Sequence, residues 1–235
     1  MDTKDARVLV VGASGALGGE LARRLHEAGS RVVAAGRDPE RTRAVAEDVG
    51  TDPLTLDVID VEACATTVAA AVEQLGGLDL LLVTVGVAAF GKAAELDEAV
   101  AEELYAVDVL GPVALVRAAV PHLRASHTEG RGGTVAVISA VLADLPTSGM
   151  ADYSAAKAAL ATWLQVLRRE ERRSLKVLDI RPPHLDTGLE TRALASEPPR
   201  LPAGRPAGEV VDLVLQALRE DKQELVVDGK EMVLR

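Results

Sequence analysis

Along the chain, short runs of consecutive apolar residues alternate with longer stretches in which apolar positions recur every three or four residues. The short runs lie at 7–11, 31–35, 54–56, 78–83, 134–139, 177–180 and 225–227. Nearly every position in them is apolar, rather than every second one, which predicts strands buried on both faces of a parallel sheet. The longer stretches, at 17–28, 39–48, 61–75, 107–126, 152–173 and 208–219, predict helices, and glycines close several of them, as at Gly29 and Gly76-Gly77. Pro112 and Pro121 fall inside the fourth stretch and predict a kink or an early stop there. Helix follows strand throughout, so the expected fold is α/β: a doubly wound parallel sheet of about seven strands flanked by helices. No linker divides the chain, and residues 1–235 are read as one domain. The proline-rich segment 182–206 has no period and leaves the carboxyl end of the sixth strand, the side on which open α/β sheets bind ligands, so it is expected to form a substrate lid.

Composition narrows the function classes. Hydrophobic residues make up 48% and charged residues 26%, as in an ordinary folded domain. The net charge of −10 and the lack of a basic block argue against nucleic acid as a partner, because that affinity comes largely from neutralised phosphates. The four aromatics, Phe90, Tyr105, Tyr153 and Trp163, are too few for a base-stacking surface. The longest runs without charge, 80–91 and 132–143, span 12 residues against the roughly 20 of a membrane helix, and the charged start has no secretion-signal pattern. No membrane partner and a cytoplasmic location are therefore expected. Cys64 is alone, and His26, His122, His127 and His184 sit at no ligand spacing. No metal site is expected, and Cys64 reads as a small buried hydrophobe.

The candidate chemistry begins after the first strand, with Gly12-Ala13-Ser14-Gly15-Ala16-Leu17-Gly18-Gly19 leading into an amphipathic stretch. A glycine turn there lets the backbone approach a pyrophosphate, which the free N–H groups and positive dipole end of the helix hold. The order strand, glycine turn, helix points to dinucleotide binding. The second strand ends Gly36-Arg37-Asp38. A site for NAD presents an acidic residue about 20 residues after the glycines; here Gly36 stands in that place and is followed by a guanidinium suited to a 2′-phosphate. NADP(H) is the expected cofactor, with NAD(H) as the alternative. Tyr153 and Lys157 stand four residues apart, hence on one helix face, after a strand that ends at the expected nicotinamide. Bringing a phenol from about 10 to neutrality takes roughly 3 pH units, or about 4 kcal/mol, which an adjacent ammonium and a charged nicotinamide could supply. Tyr153 would then be a usable acid or base.

Together, Gly12 to Gly18, Gly36-Arg37, Asp57-Val58 and Tyr153 to Lys157 resemble the short-chain dehydrogenase/reductase family. The resemblance implies a Rossmann fold and hydride exchange between a nicotinamide and a carbonyl compound or secondary alcohol. Tyr153 would be the proton donor or acceptor, and Lys157 would hold the nicotinamide ribose and lower the tyrosine pKa. It further implies cofactor contacts from Gly12, Ser14, Gly15, Ala16, Leu17, Gly18, Arg37, Asp57, Val58, Val85, Gly86, Pro182 and Thr187, with Asp57 and Val58 beside the adenine and Thr187 at the carboxamide. Family members pair long helices across a two-fold axis; here the alanine-rich face Ala155, Ala158, Ala159 and Ala161 would allow close approach, giving a homodimer or homotetramer. The sequence departs from the family in five places, one of them Pro183 where its Pro-Gly-x-x-x-Thr segment has a glycine. The glycines follow the spacing of its extended and atypical members, and its Asn-Asn-Ala-Gly reads Val83-Thr84-Val85-Gly86. Its catalytic Asn falls on Asp108, and its catalytic Ser falls on Ala140, with Ser139 one residue earlier. A one-residue slip would bring Ser139 into the catalytic role, whereas regular strand alternation would turn it into the protein. The first expectation is an NADP(H)-dependent oxidoreductase with Tyr153, Lys157 and Ser139 as its catalytic set. The alternatives are a weakened dinucleotide-binding protein acting as cofactor sensor or scaffold, and an enzyme using the cofactor for epimerisation or dehydration. Phe90, Leu142, Met150, His184 and Leu189 are the candidate pocket residues and suggest a small apolar substrate; His184 is read as a lid residue bonded locally.

Overall fold

The computed structural model describes residues 1–235. Strands β1 (Arg7–Val11), β2 (Arg31–Gly36), β3 (Leu54–Thr55), β4 (Leu80–Val83), β5 (Thr134–Ile138), β6 (Lys176–Ile180) and β7 (Glu224–Asp228) fall on the seven apolar runs. They form one sheet in the order β3-β2-β1-β4-β5-β6-β7, all parallel, and an eighth strand, β8 (Glu231–Leu234), adds antiparallel to β7. β8 is missing from the expectation of about seven strands. It returns through a tight turn in which Gly229 takes φ +63°, and it covers the edge of β7.

Side chains alternate across the sheet. Val8, Val10, Leu80 and Leu82 face α1 (Ala16–Glu27), α2 (Pro39–Val49) and α7 (Ala207–Arg219). Leu9, Val11, Leu81 and Val83 face α3 (Val61–Leu75), α5 (Gly111–Thr128) and α6 (Ala151–Glu170). Both layers are closed cores, which is why the strands carry unbroken apolar runs. The strand order reverses between β1 and β4, whose carboxyl ends open the crevice where such sheets bind ligands. Cys64 is buried in the second layer, and burial pushes its thiol up to about 11.

The two prolines act differently from the expectation. Helix α4 (Glu98–Tyr105) precedes a π-turn at Ala106–Leu110, in which the Gly111 N–H reaches the Ala106 carbonyl, and α5 follows without a gap. Pro112 has no N–H to continue the ordinary ladder, and the wider turn absorbs the defect. Pro121 lies inside α5 without stopping it. The joined run Glu98–Thr128 spans 31 residues, so by length and composition one helix is apolar enough to cross a membrane. The count of uncharged runs missed it. Half of its most apolar window is buried in the protein, and Val113, Leu115, Val116, Ala119 and Leu123 belong to the α3-side core, as in a core helix.

On α6, Ala155 and Ala159 are exposed and Ala158 is half-buried, but Ala161 is buried and points inward; Thr162 stands on the open face instead. The segment 182–206 closes on itself through a bridge between Leu185 and Arg205 and contains one short turn, Glu190–Arg192. It docks on the strand-end segment after β4: the Leu194 N–H donates to the Ala88 carbonyl at 2.7 Å, and the Phe90 N–H donates to the Ala195 carbonyl at 3.1 Å. His184 holds the two arms together, its Nδ1 lying 3.0 Å from the Pro202 carbonyl.

Candidate active site

Gly12 leaves β1 with φ +91°, a conformation open to glycine, and a side chain there would strike Thr84 Oγ1 at 2.6 Å. Gly15 caps α1 with no side-chain partner for the first N–H groups, and Ala16 and Leu17 form its first turn. Of this turn and first helical turn, Gly12, Ser14 and Gly15 stand on the crevice wall, and Ala16 and Leu17 do not. Gly18 serves the packing instead, since a Cβ on it would collide with the Gly12 carbonyl and with Thr84, and its absence lets helix and turn approach closely. Of the residues expected to touch a cofactor, Gly12, Ser14, Gly15, Arg37, Asp57, Val58, Val85 and Gly86 line one cleft of about 390 Å³. The cleft has the size range of ligand sites.

At the end of β2, a Cβ on Gly36 would meet Thr42 Oγ1 at 2.7 Å and Ser14 Oγ at 2.8 Å. The position that carries an acid in NAD sites is therefore filled by neighbours here. Asp38 is engaged as the cap of α2, accepting from the Glu40 and Arg41 N–H groups at 3.1 and 3.0 Å. Arg37 and Arg41 both line the cleft, so its end is cationic. Sequence reasoning missed Arg41, although Asp38-Pro39 is a helix-start signal that puts Arg41 on the first turn beside Arg37. It also missed Arg192. The segment 182–206 contributes Leu189 and Arg192 to the cleft wall rather than Pro182 and Thr187. Pro182 instead accepts from the Val141 N–H at 3.0 Å, and the Thr187 carbonyl accepts from Arg192 at 3.3 Å.

The carboxyl ends of the strands bring Tyr153 and Lys157 together on α6. Tyr153 is 7% and Lys157 2% exposed, and Lys157 Nζ lies 5.6 Å from the centroid of the phenol ring. Gly86 ties this pair to the cleft: a Cβ on it would stand 3.1 Å from Lys157 Nζ. The ammonium is not free to act on the phenol alone. Asp108, on the π-turn, lies 3.3 Å from Lys157 Nζ and accepts from the Val87 N–H at 3.0 Å. Burial, followed by the Asp108 charge, pushes the Tyr153 phenol above its ordinary value, opposite to the lowering expected from Lys157. Burial also pushes the Asp108 carboxyl up, against the pull of Lys157.

Ser139 does not join this group, contrary to its expected place in the catalytic set. Its hydroxyl donates to Asp179, buried in β6, whose other oxygen takes the Arg181 guanidinium at 2.7 Å. The residue packed in the cluster with Tyr153 is Ala140, which has no hydroxyl to offer. Phe90 and Met150 share that cluster, and Leu142 and Leu189 pack against it, so four of the five candidate pocket residues meet there. His184 is the exception, bonded instead to Pro202 within the segment 182–206. The resulting cluster is apolar around the Tyr153 phenol, with Tyr105 packed at its edge.

A glycine-turn cleft at the switch point of a doubly wound sheet, adjoined at Gly86 by a buried Tyr–Lys pair, defines a Rossmann-like α/β protein. The model of the short chain dehydrogenase family matches residues 6–198, and the chain belongs to that family of oxidoreductases. It is 29% identical to the dehydrogenase/reductase SDR family member 7B of Xenopus laevis over 95% of this chain and 74% of the relative. A short-chain dehydrogenase structure from Streptomyces avermitilis superposes with a TM-score of 0.84 at 26% identity, covering 96% of this chain and 89% of the other. An alcohol dehydrogenase from Thermococcus sibiricus, complexed with 5-hydroxy-NADP, superposes with a TM-score of 0.81 at 20% identity, over 95% and 97% of the two chains, a likeness of fold.

Proposed function

We propose that the protein is an NADP(H)-dependent reductase of small apolar carbonyl compounds, with Tyr153 as the proton donor. The observation that carries this reading is the burial of Tyr153 and Lys157 together against the cleft formed by the glycine turn. The cleft suits a dinucleotide on its own terms: the α1 donors stand unclaimed, no Cβ fills the approach at Gly12, and two guanidiniums sit where a 2′-phosphate would lie. A bound nicotinamide supplies the hydride. The chain's own part is to hold the carbonyl in the pocket beside Phe90 and Met150 and to move one proton. As the carbonyl carbon gains hydride, its π electrons pass to oxygen, the Tyr153 Oη–H bond breaks and a new O–H bond forms on the product. Solvent then returns one proton to Tyr153.

Calorimetric titration with NADPH and with NADH tests the cofactor assignment, with tighter NADPH binding as the expected result. Equal affinity overturns the roles given to Arg37 and Arg41. Turnover of a panel of apolar ketones and aldehydes tests the reaction, and Tyr153→Phe should abolish it while leaving NADPH affinity nearly unchanged. Ala140 favours a second reading, a cofactor-binding sensor or scaffold with weakened chemistry. NADPH binding with no turnover across the panel would decide for it. We also propose a homodimer or homotetramer through the face of α5 and α6 that carries Trp163 and the exposed Val166. A single 24.6 kDa species in light scattering would refute the assembly.

A further inference from the structure

Asp108 occupies the place where the family resemblance puts an asparagine, and a buried carboxylate changes the charge of the site. Lys157 is its ion-pair partner at 3.3 Å, and the side chains are 3% and 0% exposed, so solvent does not screen them. Asp108 Oδ1 also takes the Val87 N–H, while Oδ2 is buried without a hydrogen-bond partner. The ionisable groups that α6 presents here are Lys157 and the Tyr153 phenol. The segment 84–91 on the other side has no ionisable side chain. On the adjoining α4, Glu98 and Glu102 are exposed to solvent and Glu103 is half-buried; Tyr105 is half-buried against the same apolar cluster as Tyr153.

An ammonium about 4–6 Å from an acid lowers its pKa by roughly 1–3 units when it stands alone. Lys157 Nζ lies 5.6 Å from the centroid of the Tyr153 ring, but a carboxylate 3.3 Å from the same ammonium opposes its field. We propose that Asp108 is a positioning residue that acts through Lys157 to keep Tyr153 protonated, setting the site to give a proton to a substrate oxygen rather than to take one. The proposal rests on Tyr153 as the proton carrier and explains why the site would favour reduction. The upward displacement of the Tyr153 phenol by burial and by Asp108 agrees with it.

The first readout uses the cofactor-free protein and does not depend on turnover. The chain has two tyrosines, so an alkaline titration followed by tyrosinate absorbance contains two steps, and Tyr153→Phe in each background assigns one of them. In the unaltered protein the Tyr153 step should lie above the ordinary phenol value of about 10. In Asp108→Asn, which keeps an oxygen for the Val87 N–H, it should fall by about 1–3 units, and the acid limb of alcohol oxidation should fall with it. A Tyr153 step that stays in place or rises in Asp108→Asn overturns the proposal. If that variant does not fold, ring-carbon NMR of Tyr153 in the unaltered protein decides: phenol at about pH 10 supports the proposal and phenolate overturns it. Turnover surviving in Tyr153→Phe would remove the proton-carrier reading while leaving the titration result intact, so the two failures are distinguishable.

Discussion

Replacing Ser139 by Ala separates a structural hydroxyl from a catalytic one. In the structure this hydroxyl donates to Asp179, a carboxylate with no exposed surface, and makes a second, longer contact of 3.3 Å with the Ile180 carbonyl. Removing it leaves one oxygen of Asp179 without that donor, while Arg181 still holds the other at 2.7 Å. A hydrogen bond to a charged group contributes about 1.5–3 kcal/mol, so a loss of about 2 kcal/mol is expected. For a chain of this length that lowers the thermal midpoint by about 4–8 °C. The deficit should also depend on pH. Burial raises the Asp179 pKa against the pull of Ser139 and Arg181. An acid whose folded pKa lies above its unfolded value loses stability as pH rises through that interval. Without Ser139 the interval widens upward, so the deficit should be larger at neutral than at acidic pH. The assay pairs thermal unfolding at two pH values with kcat/KM on whichever carbonyl substrate the panel yields. Turnover should stay within a few-fold of the unaltered protein. An unchanged midpoint with a loss of about 10²–10³ in rate, as for a missing oxyanion donor, would refute the structural role and return Ser139 to the site.

Ala140→Ser should place a hydroxyl in the cluster with Tyr153 and raise kcat, by about tenfold if it gains part of what such donors contribute; an unchanged rate would mean that the carbonyl oxygen does not lie beside residue 140. Arg41→Ala should weaken NADPH binding by about 10–100-fold and leave NADH binding almost unaltered, with calorimetry as the readout. Gly36→Asp should destabilise the protein rather than convert it to NADH, because its Cβ meets Thr42 and Ser14; a folded variant of normal thermal midpoint that prefers NADH would contradict the crowding at this position. Burial raises the Asp79 pKa, but the side chains of Arg7, Ser126 and Arg131 outweigh it and hold the carboxyl at about 2. Its stabilisation is therefore present above the unfolded value and lost as pH falls from about 4 through about 2, a limb that circular dichroism should show and Asp79→Asn should remove.

The parallel strands were legible because a strand buried on both faces must be apolar throughout, and seven such runs stand out without any knowledge of contacts. β8 was not, since it pairs on one side only and needs no continuous apolar run; its four residues begin with an exposed glutamate. Pro112 announced a defect in the helix but not its form, because a missing N–H can be absorbed by a stop, a kink or the π-turn that occurs. The catalytic serine could not be placed from spacing: at the end of β5 a shift of one residue exchanges the two faces of the sheet, and only the contact with Asp179 decides. Arg192 reaches the cleft from the segment 182–206, far along the chain, a proximity that no local pattern carries.

The two departures nearest the phenol are not independent on the proposed mechanism. With Ala at 140, the pocket offers the carbonyl oxygen no hydroxyl there, and Tyr153 is left as the donor that both polarises the bond and delivers the proton. Such a donor helps only while it keeps its proton. Asp108 secures that by opposing the charge of Lys157, whereas an asparagine at 108 would leave the ammonium free to draw the phenol toward phenolate. The carboxylate therefore suits an alanine at 140 better than it would suit a serine. Ala140→Ser should accordingly gain more in alcohol oxidation when combined with Asp108→Asn than alone, since the restored hydroxyl can then work beside a tyrosine able to accept a proton. A double-mutant cycle on kcat/KM for oxidation measures that coupling directly, and strict additivity would show that the two positions act on separate steps.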